Sequence, residues 1–355
     1  MNVSQKKTNF LCGFKAAAAL SGKIVFGLGS ILPLHAAAAE PAAVLTNVLS
    51  EAKSEWTSSL RWENDTFGGS DRFYTDGISI GFSQTGKNWM DPLAECLPWG
   101  EGRRTVGYDL SQGMFTPSDI DRTIPDPNDR PYGGVITFGL SLHVEKERSF
   151  HGLKLLSGFV GSVSLAEETQ NAVHELIGND KAQGWDYQLK NEPVFNLVYE
   201  YRRKYPLLGE RKQWSAEALS ISGGWVGNLL TQGQLGALLR AGYNMPEDFG
   251  PTLARGMSHT PPPRHDPDMT KSDWGFSFYG GGLANVVLRD IMLDGNTFTD
   301  SPSVDKKWVV PMAGVGSSFG NRQFQISFSY IFWGKEFDGQ EQHAEFGALT
   351  ISYFF

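Results

Sequence analysis

Cysteine is nearly absent from this chain: of two in 355 residues, Cys12 lies in the N-terminal segment and only Cys96 lies beyond it. One cysteine cannot close an internal disulfide, so cysteine usage says little about the redox compartment. Charge is scarce as well, at 20% of residues, and acids outnumber bases to give a formal net charge of −8. An acidic chain argues against a nucleic-acid partner, which would favour a basic patch. Beyond residue 39 no apolar run approaches the roughly 20 residues of a spanning helix. Glycine (41 residues) and aromatics (12%) are plentiful instead, a balance suited to many strands and turns. Two classes survive: a soluble secreted β protein, or a transmembrane barrel whose alternating strands evade a hydropathy scan.

The N-terminus reads as a secretory signal over residues 1–39. Lys6, Lys7, Lys15 and Lys23 form a basic region, 24–34 is apolar, and His35-Ala36-Ala37-Ala38-Ala39 supplies small residues before Glu40. No cysteine follows the cleavage point, which argues against a lipid-anchored precursor. Removing four lysines and no acid takes the net charge from −8 to −12. Residues 40–55 are then a short periplasmic tail, and 56–355 the folded body.

That body alternates with period two, the mark of strands with one apolar and one polar face. Leu60 and Trp62 alternate with Ser59, Arg61, Glu63 and Asp65; after a glycine turn, Tyr74, Ile78, Ile80 and Phe82 alternate with Thr75, Gly77, Ser79, Gly81 and Ser83. This places Asp65 and Thr75 on polar faces of neighbouring strands and Tyr74 on an apolar face. Clean alternation also marks 133–144, 194–201, 322–333 and 343–355. Weaker candidates lie near 104–115, 151–164, 212–226, 232–241, 275–288 and 304–318. Twelve strands, an even number, fit an all-β, up-and-down antiparallel barrel in a bacterial outer membrane. The last strand ends on Phe355, like the assembly signal read by the barrel-assembly machinery. Parity then sends the loops 66–74, 116–132, 165–189, 227–231, 289–303 and 334–342 to the cell exterior. A long segment, 242–273, breaks the pattern on the periplasmic side: either it forms a plug or lid, or a pair of strands is miscounted.

Three exterior loops carry candidate chemistry. The first holds Asn64, Asp65 and Thr75. The second runs from Thr116-Pro117 through Arg122 to Asp129-Arg130-Pro131-Tyr132-Gly133-Gly134. In the third, Ser164 to Glu167 fits a capping box and Gly178 a helix stop. The helix between them has Val173, Leu176 and Ile177 as its apolar side, and presents Gln170 and His174 together at i, i+4. Familiar nucleophile and metal motifs are missing: there is no Gly-x-Ser-x-Gly, no His-Glu-x-x-His, and no His-x-Ser-Asn-Gly as in outer-membrane phospholipase A barrels. What remains is a carboxylate, oxygen donors and a histidine: hard ligands suited to Ca²⁺, and a residue type able to act as general base on water.

Taken in order, Glu63-Asn64-Asp65, Asp71 to Gly77, Met114-Phe115-Thr116-Pro117, Asp129 to Gly134, Gln170 to His174 and Gly184 to Leu189 resemble the lipid A 3′-O-deacylase family of outer-membrane barrels. The resemblance implies an integral outer-membrane enzyme whose site faces the cell exterior, between barrel wall and loop helix. It implies Ca²⁺ at Asp65 and Thr75 with Asn64 nearby, water activation by His174, and contacts to lipopolysaccharide from Gln170 and from a basic residue at Arg122. The family's basic residue is typically lysine. An arginine still pairs with phosphate but cannot give up a proton, which puts an acid role in doubt. A monomer surrounded by outer-membrane lipid is expected. A non-enzymatic porin or adhesin and a glycerophospholipase are the alternatives.

Overall fold

The computed structural model describes residues 55–65, 73–177, 180–210, 212–252 and 272–355. The signal segment 1–39, nearly all of the tail, Asp71, Arg72, Gly178 and the Pro261-Pro262-Pro263 run lie outside them. All twelve expected strands form: β1 (Glu55–Asn64), β2 (Phe73–Thr85), β3 (Arg103–Thr116), β4 (Gly133–Lys146), β5 (Ser149–Val160), β6 (Glu192–Leu208), β7 (Trp214–Gly227), β8 (Leu230–Tyr243), β9 (Gly275–Asp290), β10 (Val309–Gly320), β11 (Phe324–Trp333) and β12 (Ala344–Phe354). Each pairs antiparallel with its chain neighbours, and β1 closes on β12 with Leu60 opposite Ile351. Closure leaves no strand edge unpaired, the condition for crossing a bilayer with strands. Among the described residues no helix is long and apolar enough to cross a membrane.

The burial pattern is that of a soluble sandwich turned inside out. Leu60, Ile80, Phe82, Leu110, Phe138, Leu197 and Phe278 are exposed, whereas Ser59, Arg61, Ser79, Ser83, Asp109, Ser111 and Ser141 between or beside them are buried. Apolar residues therefore face outward to lipid, and polar ones fill the lumen. Buried lumen cations meet carboxylates: Lys154 Nζ lies 2.8 Å from Asp109 Oδ2, and Arg61 Nη2 lies 2.6 Å from Glu63 Oε1. Pairing is what makes such burial tolerable, because a lone charge there would go unsolvated.

Connections alternate between two rims: those after odd-numbered strands lie on the far rim, opposite the one where β1 begins and β12 ends, and the near rim carries long connections only after β2 and β8. On the near rim, a short helix, α1 (Asp91–Cys96), folds Ala94 against Val106, Leu142 and Val144. The segment after β8 resolves as a plug at its described start; the strand count stands at twelve. Asp248 and Phe249 are buried, the Arg202 guanidinium donates to the carbonyls of Phe249 (2.8 Å) and Gly250 (3.1 Å), and Arg61 donates to that of Thr252 (3.2 Å). Arg240 ties the plug to the wall. Its guanidinium donates to Glu217 Oε1 at 2.6 and 3.0 Å, to the Asp248 carbonyl at 3.2 Å, and to the Asp248 carboxylate.

Burial alone would raise the Asp248 carboxyl, but Arg240 and the Gly250 N–H outweigh it and hold it below the usual carboxylate range. A carboxyl depressed in the folded state stabilises above its unfolded pKa, and that contribution is lost as pH falls through the folded value. Arg240→Ala leaves the buried Asp248 carboxylate and the half-buried Glu217 carboxylate without the Arg240 cation. Loss of roughly 3–5 kcal/mol is expected from urea unfolding of the detergent-solubilised barrel at neutral pH; a change under about 1 kcal/mol would contradict the tie.

Candidate active site

The far-rim site begins with one extra residue. In the β2–β3 ladder Tyr74 pairs with Phe115 and Asp76 with Met114, so Thr75 is a bulge with no partner of its own. A bulge reverses the faces on one side of it. Tyr74, expected outside, turns into the lumen. Its hydroxyl donates to Glu63 and its ring packs on Phe346 (4.8 Å between centroids) and Phe115 (5.2 Å). Gly77 makes room for that hydroxyl, since a Cβ there would lie 2.1 Å from it.

Thr75, expected inside, joins the outer face. Its hydroxyl lies 2.7 Å from that of Thr116, which shares a face with Met114, Gln112 and the exposed Leu110. Asn64 lies opposite Asp76 in the β1–β2 ladder, and its amide N–H₂ donates to Asp76 Oδ2 at 2.9 Å; the Trp62 indole donates to the same oxygen at 3.2 Å. Asp65, one residue past the end of β1, is only 1% exposed.

The loop helix, α2 (Ala166–Ile177), lies against the outside of β3 and β4. Gly134 allows the approach: a Cβ there would sit 2.1 Å from Ser164 Oγ and 2.4 Å from the Ala166 Cβ. The expected capping box does not form. Ser164 instead ends a 3-10 turn, donating to the Gly161 carbonyl at 2.6 Å, and Leu165 takes φ 58° to swing the chain into α2. Ala166, Gln170 and His174 are buried at i, i+4 and i+8 and Val173 is half-buried, while the Leu176 and Ile177 side chains, expected on the apolar side, lie outside the described residues. A helix that buries a polar stripe is not placed by hydrophobic packing alone. In the first turn of the helix, burial and then the nearby Glu168 and Asp186 push the half-buried Glu167 carboxyl up.

His174 is 5% exposed, and its Nδ1 lies 2.5 Å from the Asp180 carbonyl oxygen. A carbonyl only accepts, so Nδ1 carries the proton and Nε2 is the basic nitrogen. Gln170, one turn away and 2% exposed, accepts from the Trp185 indole at 2.7 Å through Oε1. Met114, Ala166, Tyr132 and Trp185 share one cluster, so the helix, the wall at Thr116 and the return of the loop form one body.

Arg122 stands elsewhere. It is 49% exposed and pairs with Asp126 at 3.3 Å in a cleft of about 300 Å³ that also presents Asp119, Asp129 and Glu341. The Asn128 backbone N–H, and after it the Asn128 amide and Arg122, hold the Asp126 carboxyl below the usual range. The buried cation of that loop is Arg130, which lies over the Phe115 ring at 4.7 Å and donates to Glu336 Oε2 at 3.1 Å. Spacing in the sequence did not distinguish the two arginines. Asp76, Thr116, Trp185 and the Asp180 carbonyl were also missed: the first three sit inside quoted motifs, and the last leaves no trace in a side-chain pattern.

Among the described residues no three His, Cys, Asp or Glu side chains converge as a metal site. The donors at the rim are a buried carboxylate (Asp65), a hydroxyl (Thr75) and a carboxamide (Asn64), all hard oxygens. The Asn64 amide nitrogen donates to Asp76, so a cation would meet this carboxamide through its oxygen. The donor types fit a Ca²⁺-like ion, which takes six to eight oxygens and fills its shell with carbonyls and water.

A family model described as "Outer membrane protein LpxR" matches residues 25–355. The chain belongs to the LpxR family. This is the lipid A 3′-O-deacylase family whose motifs the sequence carries, and it places the barrel in the bacterial outer membrane. Among solved structures, LpxR from Salmonella typhimurium superposes with a TM-score of 0.68 at 19% identity, covering 84% of this chain and 100% of that one. The Bordetella autotransporter Brka β domain (TM-score 0.40, 11% identity, 84% and 98% covered) and the Neisseria meningitidis NalP translocator (0.33, 9%, 97% and 98%) are too distant to bear on the site. Comparison with curated protein sequences gives no match.

For this LpxR-family barrel, the close approach at Gly134 is testable. Gly134→Val is expected to lift α2 from the wall while the barrel still folds. Limited proteolysis should then cut within 180–191 at least about tenfold faster than in wild type, with heat-modifiable gel migration retained. Unchanged protease resistance would contradict the contact.

Proposed function

We propose that this protein hydrolyses the 3′-position ester-linked acyl group of lipid A in the outer leaflet, at a site on the cell-exterior side of the barrel between the wall and α2. The observation that carries this reading is His174: a buried histidine, Nδ1 tied to a backbone carbonyl, on the helix face turned to the wall. A fixed partner on one ring nitrogen is what orients an imidazole for work as a general base.

In this reading Nε2 of His174 takes a proton from water as the water oxygen attacks the ester carbonyl. Collapse of the tetrahedral species breaks the bond to the sugar oxygen, which receives that proton back from Nε2. Asp65 and Thr75 would hold Ca²⁺ with help from Asn64, Thr75 being oriented by Thr116 and Asn64 by Asp76. When bound, the ion supplies positive charge beside the carbonyl oxygen as that oxygen becomes negative. A rim site on the outer face meets an acyl chain sideways from the leaflet, without extracting it through the lumen. Gln170 contacts the substrate. Arg122 is the phosphate partner in this reading, although Asp126 and the other carboxylates of its cleft compete for it.

With purified protein and lipid A in micelles, His174→Ala and Asp65→Ala are expected to lower kcat by at least about 10³-fold in barrels that still fold, and a chelator to do the same reversibly. Retained deacylation in either variant removes that residue from the scheme, and full activity in chelator removes Ca²⁺. Phospholipid cleaved in place of lipid A would favour a glycerophospholipase. Stepwise conductance in planar bilayers with no change in lipid would favour a porin.

A further inference from the structure

Trp185 plays no part in the hydrolytic steps, yet it is the largest fully buried side chain in the described structure, at 1% exposed. Its ring packs on Tyr132 with centroids 4.9 Å apart and planes at 55°. Its one polar atom, the indole N–H, is spent on Gln170 Oε1 at 2.7 Å.

Chemistry fixes the sense of that bond. An indole nitrogen can only donate and an amide N–H₂ cannot accept, so the atom facing Trp185 must be the oxygen of Gln170. The amide nitrogen is thereby turned away from Trp185. Among the described residues no acceptor meets it, although Gln170 is 2% exposed. A buried donor without an acceptor is destabilising. This one is retained on the same helix stripe as His174, one turn away, where an oxygen arriving with a substrate could satisfy it.

We propose that Trp185 is a positioning residue: by holding the oxygen of Gln170 it keeps the Gln170 N–H₂ pointed at the acyl carbonyl oxygen of the bound ester. The inference rests on the hydrolytic reading above. As water adds to the carbonyl carbon, the carbonyl electron pair moves onto that oxygen, and a donor already aimed there stabilises the charge without reorganising. Trp185 itself exchanges no proton and touches no reacting atom. A Gln170 whose amide could flip would present its oxygen to the developing anion half the time, which is repulsive.

The test is a double-mutant cycle on the purified full-length protein, with lipid A in micelles. Trp185→Phe keeps the ring and removes the N–H; kcat is expected to fall roughly tenfold with KM nearly unchanged. Gln170→Glu keeps the acceptor for Trp185 and removes the donor, and should cost kcat on the order of 10²-fold. The double variant should be no slower than Gln170→Glu alone, because no N–H₂ is left to aim. A Trp185→Phe enzyme with wild-type kcat overturns the proposal. So does a Trp185→Phe effect of equal size in both backgrounds, the signature of plain packing. Should Trp185→Phe fail to fold, benzothienylalanine at position 185 replaces the N–H by sulfur at the same shape and must give the same tenfold loss. A wild-type protein that leaves lipid A intact overturns the hydrolytic reading itself, and the positioning role with it.

Discussion

A strand in a closed barrel has two faces and no third option, so one inserted residue decides which side chains meet lipid and which meet the lumen. Here that residue is Thr75. Without the bulge, Tyr74 would project into the outer leaflet and Thr75 into the lumen, away from the loop helix. With it, Tyr74 fills the lumen against Glu63, Phe115 and Phe346, and Thr75 stands beside Thr116 on the outer wall. The rest of the site depends on this exchange. The α2 helix lies against the outer face of β3 and β4, and β3 carries Thr116 beside Thr75 on that face.

In the proposed reading a water-requiring reaction is accommodated on the side of a membrane barrel. Lumen charges such as Lys154 and Asp109 neutralise one another and leave the interior a filled core. The outer wall is apolar across the bilayer but gives way at the far rim to a polar patch roofed by α2. Groups enclosed there are screened from bulk water, so their hydrogen bonds act at close to full strength. Each candidate residue is held by a neighbour: the Asp180 carbonyl meets His174, the Thr116 hydroxyl meets that of Thr75, and Asp76 accepts from Asn64.

Much of this was legible in the sequence because it follows from period-two alternation. The twelve strands, the alternation of their connections between two rims, and a helix in the loop after β5 were all readable. What was not readable is local and geometric. Alternation carries no warning of a bulge, so Tyr74 and Thr75 were assigned to exchanged faces. Ser164 matched a capping pattern, but Gly134 lets the wall come so close that its hydroxyl closes a 3-10 turn instead. Val173 reads as packing side because it is apolar, yet it is only half-buried while Gln170 and His174 on the same helix are buried. Arg122 and Arg130 are both loop arginines; only the fold shows one in an open acidic cleft and the other stacked over Phe115.

The central claim is that this barrel removes an acyl group from lipid A. It is tested most directly by mass spectrometry of lipid A from bacterial cells with and without the protein. The account predicts a new lipid A species, present only with the protein, lighter by the group esterified at the 3′ position and with its phosphates intact. Identical lipid A spectra, with folded barrel in the outer membrane, would contradict it.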